Sequence, residues 1–142
     1  MEKIPSVTFG EVEIDKDKVY EFPLGIPGLV GINEYFILEK PELAPFKWLQ
    51  ACQPNYLSLM MLDPVFIDNT YQVTLTEEHT KIIGDCTQED LIVQSLIVVP
   101  EDPKQMTANL IAPLLFNPAT RKGMQAVIDG RKNMLRVKVI KD

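Results

Sequence analysis

A single histidine, two cysteines and 20 carboxylates make up the reactive chemistry open to this 142-residue chain. His79 follows Glu77 and Glu78 in the stretch Thr76-Glu77-Glu78-His79-Thr80-Lys81-Ile82-Ile83-Gly84. A histidine general base is normally oriented by a second polar group in a pocket, so a lone imidazole on a short charged helix is expected to be solvated and inert. Cys52, His79 and Cys86 are candidate metal ligands without the closely spaced pairs that mark a zinc site, and no metal or cofactor is expected. The carboxylate pairs Glu77-Glu78, Glu89-Asp90 and Glu101-Asp102 could in principle share a proton, but adjacent acids on turns ordinarily form a solvated face. No nucleophile elbow, phosphate-binding glycine loop, dinucleotide fingerprint or H-E-x-x-H helix is present. The pattern asks for no catalysis.

The elements that would have to position these groups follow from punctuation. Eleven prolines interrupt the chain, and proline inside a helix removes a hydrogen bond and clashes with the preceding turn. Between the breaks lie short runs rich in Val, Ile, Leu, Phe and Tyr, the length and composition of strands. The expected strands are Val7–Ile14, Lys18–Phe22, Glu34–Glu39, Trp48–Gln53, Leu57–Leu62, Tyr71–Thr76, Leu91–Val99, Ala108–Phe116, Gly123–Ile128 and Leu135–Ile140. In the first, Val7 and Phe9 share a face that Val12 and Ile14 do not, which predicts a bulge or bend at Gly10. Pro54-Asn55 reads as a hairpin turn. In the last run Arg136 and Lys138 alternate outward. Thr76–Gly84 is the best helix, with Thr76 as N-cap, acids in the first turn and Gly84 as the stop. The fold class is therefore all-β: one domain over residues 1–142, a closed or nearly closed antiparallel barrel-like sheet with one or two short helices, because closure removes exposed strand edges.

Composition narrows the function. A net charge of −6 and 46% hydrophobic residues suit a globular binder of a basic protein and disfavour direct contact with nucleic acid or anionic lipid. The longest nearly apolar run, Leu91–Pro100, is half the length of a membrane-spanning helix and contains Gln94 and Ser95. With widely separated cysteines and no charged-then-apolar leader, a cytoplasmic protein with free thiols and no membrane contact is expected.

Some stretches carry more restriction than an ordinary loop requires. Phe22-Pro23-Leu24-Gly25-Ile26-Pro27-Gly28-Leu29 combines fixed and permissive backbone into a rigid apolar loop. Pro45-Phe46-Lys47-Trp48-Leu49-Gln50 is followed by Asp63-Pro64 and, further on, Tyr71. Asn109-Leu110-Ile111-Ala112-Pro113 leads to Asn117 and then Gly123-Met124-Gln125. Pro113 within so apolar a run needs an edge or a bulge, and Asn109 and Asn117 are placed to cap freed backbone groups. For Gly25, Pro27, Gly28 and Pro113 backbone geometry is the plain explanation. For Phe46, Trp48, Leu49 and Phe66 it is core packing.

On these residues the chain resembles the FliW family of flagellar assembly factors. That family carries a G-[IL]-P-G-[FL] loop, a P-F-x-x-L-Q segment, a D-P segment closed by Tyr, and N-L-x-A-P-x-x-x-N followed by G-x-Q, in the order found here. Leu29 stands where an aromatic is common and Ala51 where a serine often follows the glutamine. The resemblance implies a non-enzymatic cytoplasmic regulator, monomeric when free. It would bind the RNA-binding repressor CsrA, relieve repression of flagellin mRNA, and exchange CsrA for flagellin. The candidate partner-binding residues are Asp63, Asp68, Tyr71, Glu77, Glu78, Glu89 and Asp90. Gly25, Pro27, Gly28, Phe46, Leu49, Gln50, Asn109, Pro113, Asn117 and Gln125 are family motif positions expected to be structural. The competing expectation is a small-molecule-binding barrel or hydrolase, its pocket lined by Gly25–Leu29 with Tyr71, Asp63 and His79 as polar groups. A third is an export chaperone lacking the CsrA contact.

Overall fold

The computed structural model describes residues 1–128 and 134–141. Its strands are β1 (Glu2–Ser6), β2 (Gly10–Ile14), β3 (Tyr20–Glu21), β4 (Glu34–Glu39), β5 (Lys47–Ala51), β6 (Ser58–Leu62), β7 (Ile92–Val98), β8 (Thr107–Ala108), β9 (Leu114–Asn117), β10 (Lys122–Gln125) and β11 (Val137–Lys138), with a single described α-helix, α1 (Glu77–Ile83). The order β7-β6-β5-β4-β3-β10-β9 returns to β7, closing a seven-stranded barrel. All of its neighbours are antiparallel except β3 and β10, which run parallel where Glu21 meets Lys122, so the barrel is mixed. Closure divides the work of β7: Ile92–Gln94 pair with β9, while Ile97 and Val98 pair with β8, which carries β11 on its far edge.

The barrel interior is filled by Tyr20, Phe22, Tyr35, Leu49, Met61, Leu114 and Phe116. Their rings pack edge to face, with centroids 5.0 Å apart for Tyr20–Phe116, 5.2 Å for Phe22–Tyr35 and 5.6 Å for Phe22–Phe116, the arrangement the ring quadrupole favours. Gly123 on β10 makes room for them: a Cβ there would stand 2.6 Å from Phe22 Cε1.

Several expected strands change shape for identifiable reasons. The phase change in Val7–Ile14 is a chain reversal rather than a bulge. Gly10, at φ +71, opens β2, which folds back on β1 with Ile4 opposite Val12. Ile4, Val12 and Ile14 then cover Leu38 on the barrel's outside, beside Phe9 and Trp48. Ala108–Phe116 is not one strand. Asn109 Oδ1 accepts from the Ile111 and Ala112 N–H groups at 3.1 and 3.0 Å, bending the chain so that β8 and β9 join different stretches of β7. Tyr71–Thr76 forms no ladder. Gln88 stands in for a partner strand, its Nε2 donating to Val73 O at 2.6 Å and its Oε1 accepting from Leu75 N at 2.9 Å. Lys18–Phe22 shortens to β3, since Lys16–Lys18 is a 3-10 turn capped by Asp15. Leu135–Ile140 shortens to β11. The hairpin across Pro54-Asn55 joins β5 to β6 as expected.

Candidate partner-binding site

The acidic candidates fall on two regions set up by different local rules. The first is α1 and the segment after it. Thr76 Oγ1 accepts from His79 N at 3.4 Å while His79 Nδ1 accepts from Thr76 N at 3.2 Å, a reciprocal capping box that leaves Glu77 and Glu78 exposed in the first turn. His79 is therefore half-buried and engaged, not merely solvated. At the other end Gly84 takes φ +84. The fully buried Asn117 donates through Nδ2 to Ile83 O (2.9 Å), Gly84 O (3.3 Å) and Asp85 O (3.0 Å). This one amide fastens the helix end, and the segment leading to exposed Glu89 and Asp90, onto β9. Asp85, Cys86 and Asp90 line a shallow depression beside Asn117. Burial and the nearby Asp90 carboxylate push the Cys86 thiol up.

The second region surrounds Phe66. Asp63 Oδ1 caps the Pro64–Phe66 3-10 turn by accepting from Val65 N at 3.1 Å. Asp68 accepts from Thr70 Oγ1 at 2.6 Å and Thr70 N at 3.0 Å, and those bonds hold its carboxyl below the usual range. Tyr71 donates its hydroxyl to Leu110 O at 2.6 Å, and burial pushes its pKa up to about 12. Phe66 itself is 65% exposed, contrary to the expectation of core packing, because Pro64 is the member of the turn that enters the interior. Phe46, Leu49 and Trp48 do pack, Leu49 inside the barrel, Phe46 half-buried against the cluster of Leu62, Ile67 and Ile97, and Trp48 against Phe9 at 5.3 Å. A second feature beyond sequence reasoning is Gln94. It is 3% exposed, and its Oε1 is buried without a hydrogen-bond partner.

The motif residues hold backbone in place. Gly25, Gly28 and Gly31 all take positive φ, and Gly25 N donates to Phe22 O while Phe22 N closes on Asn33 O. The loop thereby anchors Ile26 and Ile32 in the interior and leaves Pro27, Leu24 and Val30 outside. Gln50, fully buried, donates from Nε2 to Tyr56 O at 2.9 Å and Ala51 O at 3.0 Å and accepts from Ser58 Oγ at 2.5 Å. Ser58 in turn meets Ser6 Oγ at 3.2 Å, linking the β1–β2 hairpin to the barrel. Gln125 Nε2 donates to Ala112 O at 3.1 Å, and Pro113 is buried where the chain turns into β9.

The hollow beside Gly25–Leu29, about 560 Å³, is lined by Pro23–Asn33 and Gln53. Tyr71 and Asp63 line a separate depression, and His79 is spent on its cap, so the pocket of the competing enzyme reading is not assembled. Cys52 is a free thiol pushed up to about 12, first by burial and then by the Glu34 and Glu2 carboxylates. Among the described residues no group of three His, Cys, Asp or Glu is placed to hold a metal ion, and no helix is long and apolar enough to cross a membrane.

The barrel is closed and mixed, most of its buried polar side chains are spent on caps and backbone, and its acids and Phe66 lie outside. The FliW protein family model matches residues 3–139, and the chain belongs to that family. It is 36% identical over 122 residues to the flagellar assembly factor FliW of Alkaliphilus metalliredigens, covering 85% of this chain and 75% of that protein. The FliW of Natranaerobius thermophilus is 35% identical over 127 residues, covering 89% and 84%. A crystal structure of the flagellar assembly factor FliW superposes with a TM-score of 0.88 at 23% identity, covering 99% of both chains.

Proposed function

We propose that this protein is a cytoplasmic partner-switching regulator that binds CsrA to relieve repression of flagellin mRNA and releases it when flagellin is bound instead. The observation that carries the reading is family membership over nearly the whole chain. A protein of net charge −6 complements a partner basic enough to hold RNA. The exposed acids on α1 and after it, Glu77, Glu78, Glu89 and Asp90, are the proposed CsrA-facing groups. Asp63, Asp68 and Tyr71, engaged in local caps and bonds, are proposed to shape the surface around Phe66. Titration calorimetry with purified CsrA and monomeric flagellin tests this. Binding of each, with flagellin displacing CsrA, is expected, and the free protein should sediment as a monomer. Binding of flagellin alone would reduce the protein to an export chaperone, and binding of neither would overturn the reading.

A further inference from the structure

The nine-stranded sheet does not include β1 and β2, which pair only with each other. That separation changes what it costs to move them. Every barrel strand is laddered on both sides, so removing one breaks two sets of backbone hydrogen bonds, whereas the β1–β2 hairpin can leave with its own ladder intact. Among the described residues two hydrogen bonds cross from the hairpin to the barrel: Val7 N donates to Tyr56 O at 3.1 Å, and Ser6 Oγ meets Ser58 Oγ at 3.2 Å. Both lie beside the hairpin's turn, where Phe9 also rests on Trp48 and takes the Lys40 ammonium over its ring. The turn end is a latch.

The other end is built as a hinge. After Ile14 the chain makes an exposed 3-10 turn over Lys16–Lys18, where Asp15 Oδ1 accepts from Asp17 N at 3.0 Å. Beyond the turn the backbone is fixed. Arg121 donates through Nη2 to Lys18 O, lies 3.9 Å from the Tyr20 ring centroid, and accepts at its carbonyl from Glu21 N at 2.8 Å. Motion of the hairpin therefore stops at Lys18 and does not draw β3 out of the barrel. Between latch and hinge the hairpin is held by apolar contact, with Ile4, Val12 and Ile14 buried on Leu38 and bordered by Phe36, Trp48 and Cys52. Those three side chains are a small part of the buried core, so undocking them costs much less than opening the barrel.

We propose that the β1–β2 hairpin is a hinged flap that undocks as one unit about Lys16–Lys18, uncovering the apolar outer face of β4 and β5 at Leu38, Phe36 and Trp48 while the barrel stays closed. Neither partner is needed for this motion, so it stands apart from the functional reading above. Hydrogen exchange followed by NMR on the full chain, in urea below the unfolding transition, tests it. A two-stranded hairpin set free in water does not hold its ladder, so its amides exchange whenever it undocks. The amides shared between β1 and β2 should have one common urea slope, about a third of that of the β4–β5 amides, because the slope follows the surface exposed. Two substitutions separate flap opening from global unfolding. Val12→Ala loosens the docked hairpin and should speed exchange about tenfold in hairpin and barrel alike, since both openings start from the docked state. Ile83→Val, in a cluster away from the hairpin, should speed the barrel amides about fivefold and leave the hairpin amides unchanged. Hairpin amides that show the barrel's urea slope, or that follow Ile83→Val, would mean that the hairpin opens only as the barrel unfolds, and the flap assignment would fall. Hairpin amides without protection, or indifferent to Val12→Ala, would overturn it as well, because no docked state would then be there to release.

Discussion

His79 shows how one side chain's geometry can replace a supposed reactivity. Its Nδ1 accepts the Thr76 N–H, and glutamine or glutamate is the usual residue for that task three positions after a threonine cap. His79→Gln should therefore keep stability within a few tenths of a kcal/mol in urea titrations, while His79→Ala should lose about 1 kcal/mol. Tyr35 and Tyr71 give a pH signature, both raised to about 12 by burial. A phenol whose folded pKa lies above its unfolded value near 10 contributes stability that is whole below that value and is lost as pH climbs toward 12. Urea midpoints should thus decline from pH 10 to 12. Tyr71→Phe should make the decline shallower, while costing about 1–2 kcal/mol at neutral pH because Leu110 O loses its donor. A midpoint flat across that range would contradict the assignment.

At the scale of elements, the short helix persists because its ends are held, not because it has length. Seven residues are too few for an isolated helix to form in water. Asn117 and Thr120 tie Ile83 O, and Asn117 continues to Gly84 O and Asp85 O. Asn117→Leu should destabilise by about 2–3 kcal/mol, since buried carbonyls lose their donor, and hydrogen exchange should locate the loss on α1 and residues 84–90. Gly84→Ala combines a strained φ of +84 with a Cβ 2.6 Å from Thr120 Cγ2, and should cost about 1–2 kcal/mol.

For the whole molecule, long-range charge governs encounter. The screening length falls from about 10 Å at 0.1 M salt to about 3 Å at 1 M, so CsrA association should slow as salt rises. Reversing Glu77 and Glu78 to Lys should slow it further, with a stability cost held to about 1 kcal/mol, because first-turn acids favour the helix dipole but are exposed. Stopped-flow rates across a salt series check this, with flagellin association expected to respond less to salt than that of CsrA. A CsrA rate flat across the series, or a flagellin rate more salt-sensitive than that of CsrA, would contradict the role proposed for the acidic face.

Local chemistry made much of this molecule legible in its sequence. Thr76 and Gly84 bound the helix, Asn109 caps freed backbone, and prolines forbid long helices, because each acts through groups a few bonds away. The β character followed from composition, since β-branched and aromatic runs between turns suit little else. Tertiary structure alone decided the rest. The parallel β3–β10 pairing, the sharing of β7 between β8 and β9, and Gln88 standing in for a strand beside Tyr71–Thr76 all depend on partners distant in sequence. Period-two alternation tells which residues share a face, but not whether that face meets the interior, a hairpin or water. Phe66 and Gln94 are the sharpest cases. An aromatic expected inside lies outside and an amide inside an apolar strand stays unpaired, because the burial of each was settled only when the barrel closed around its neighbours.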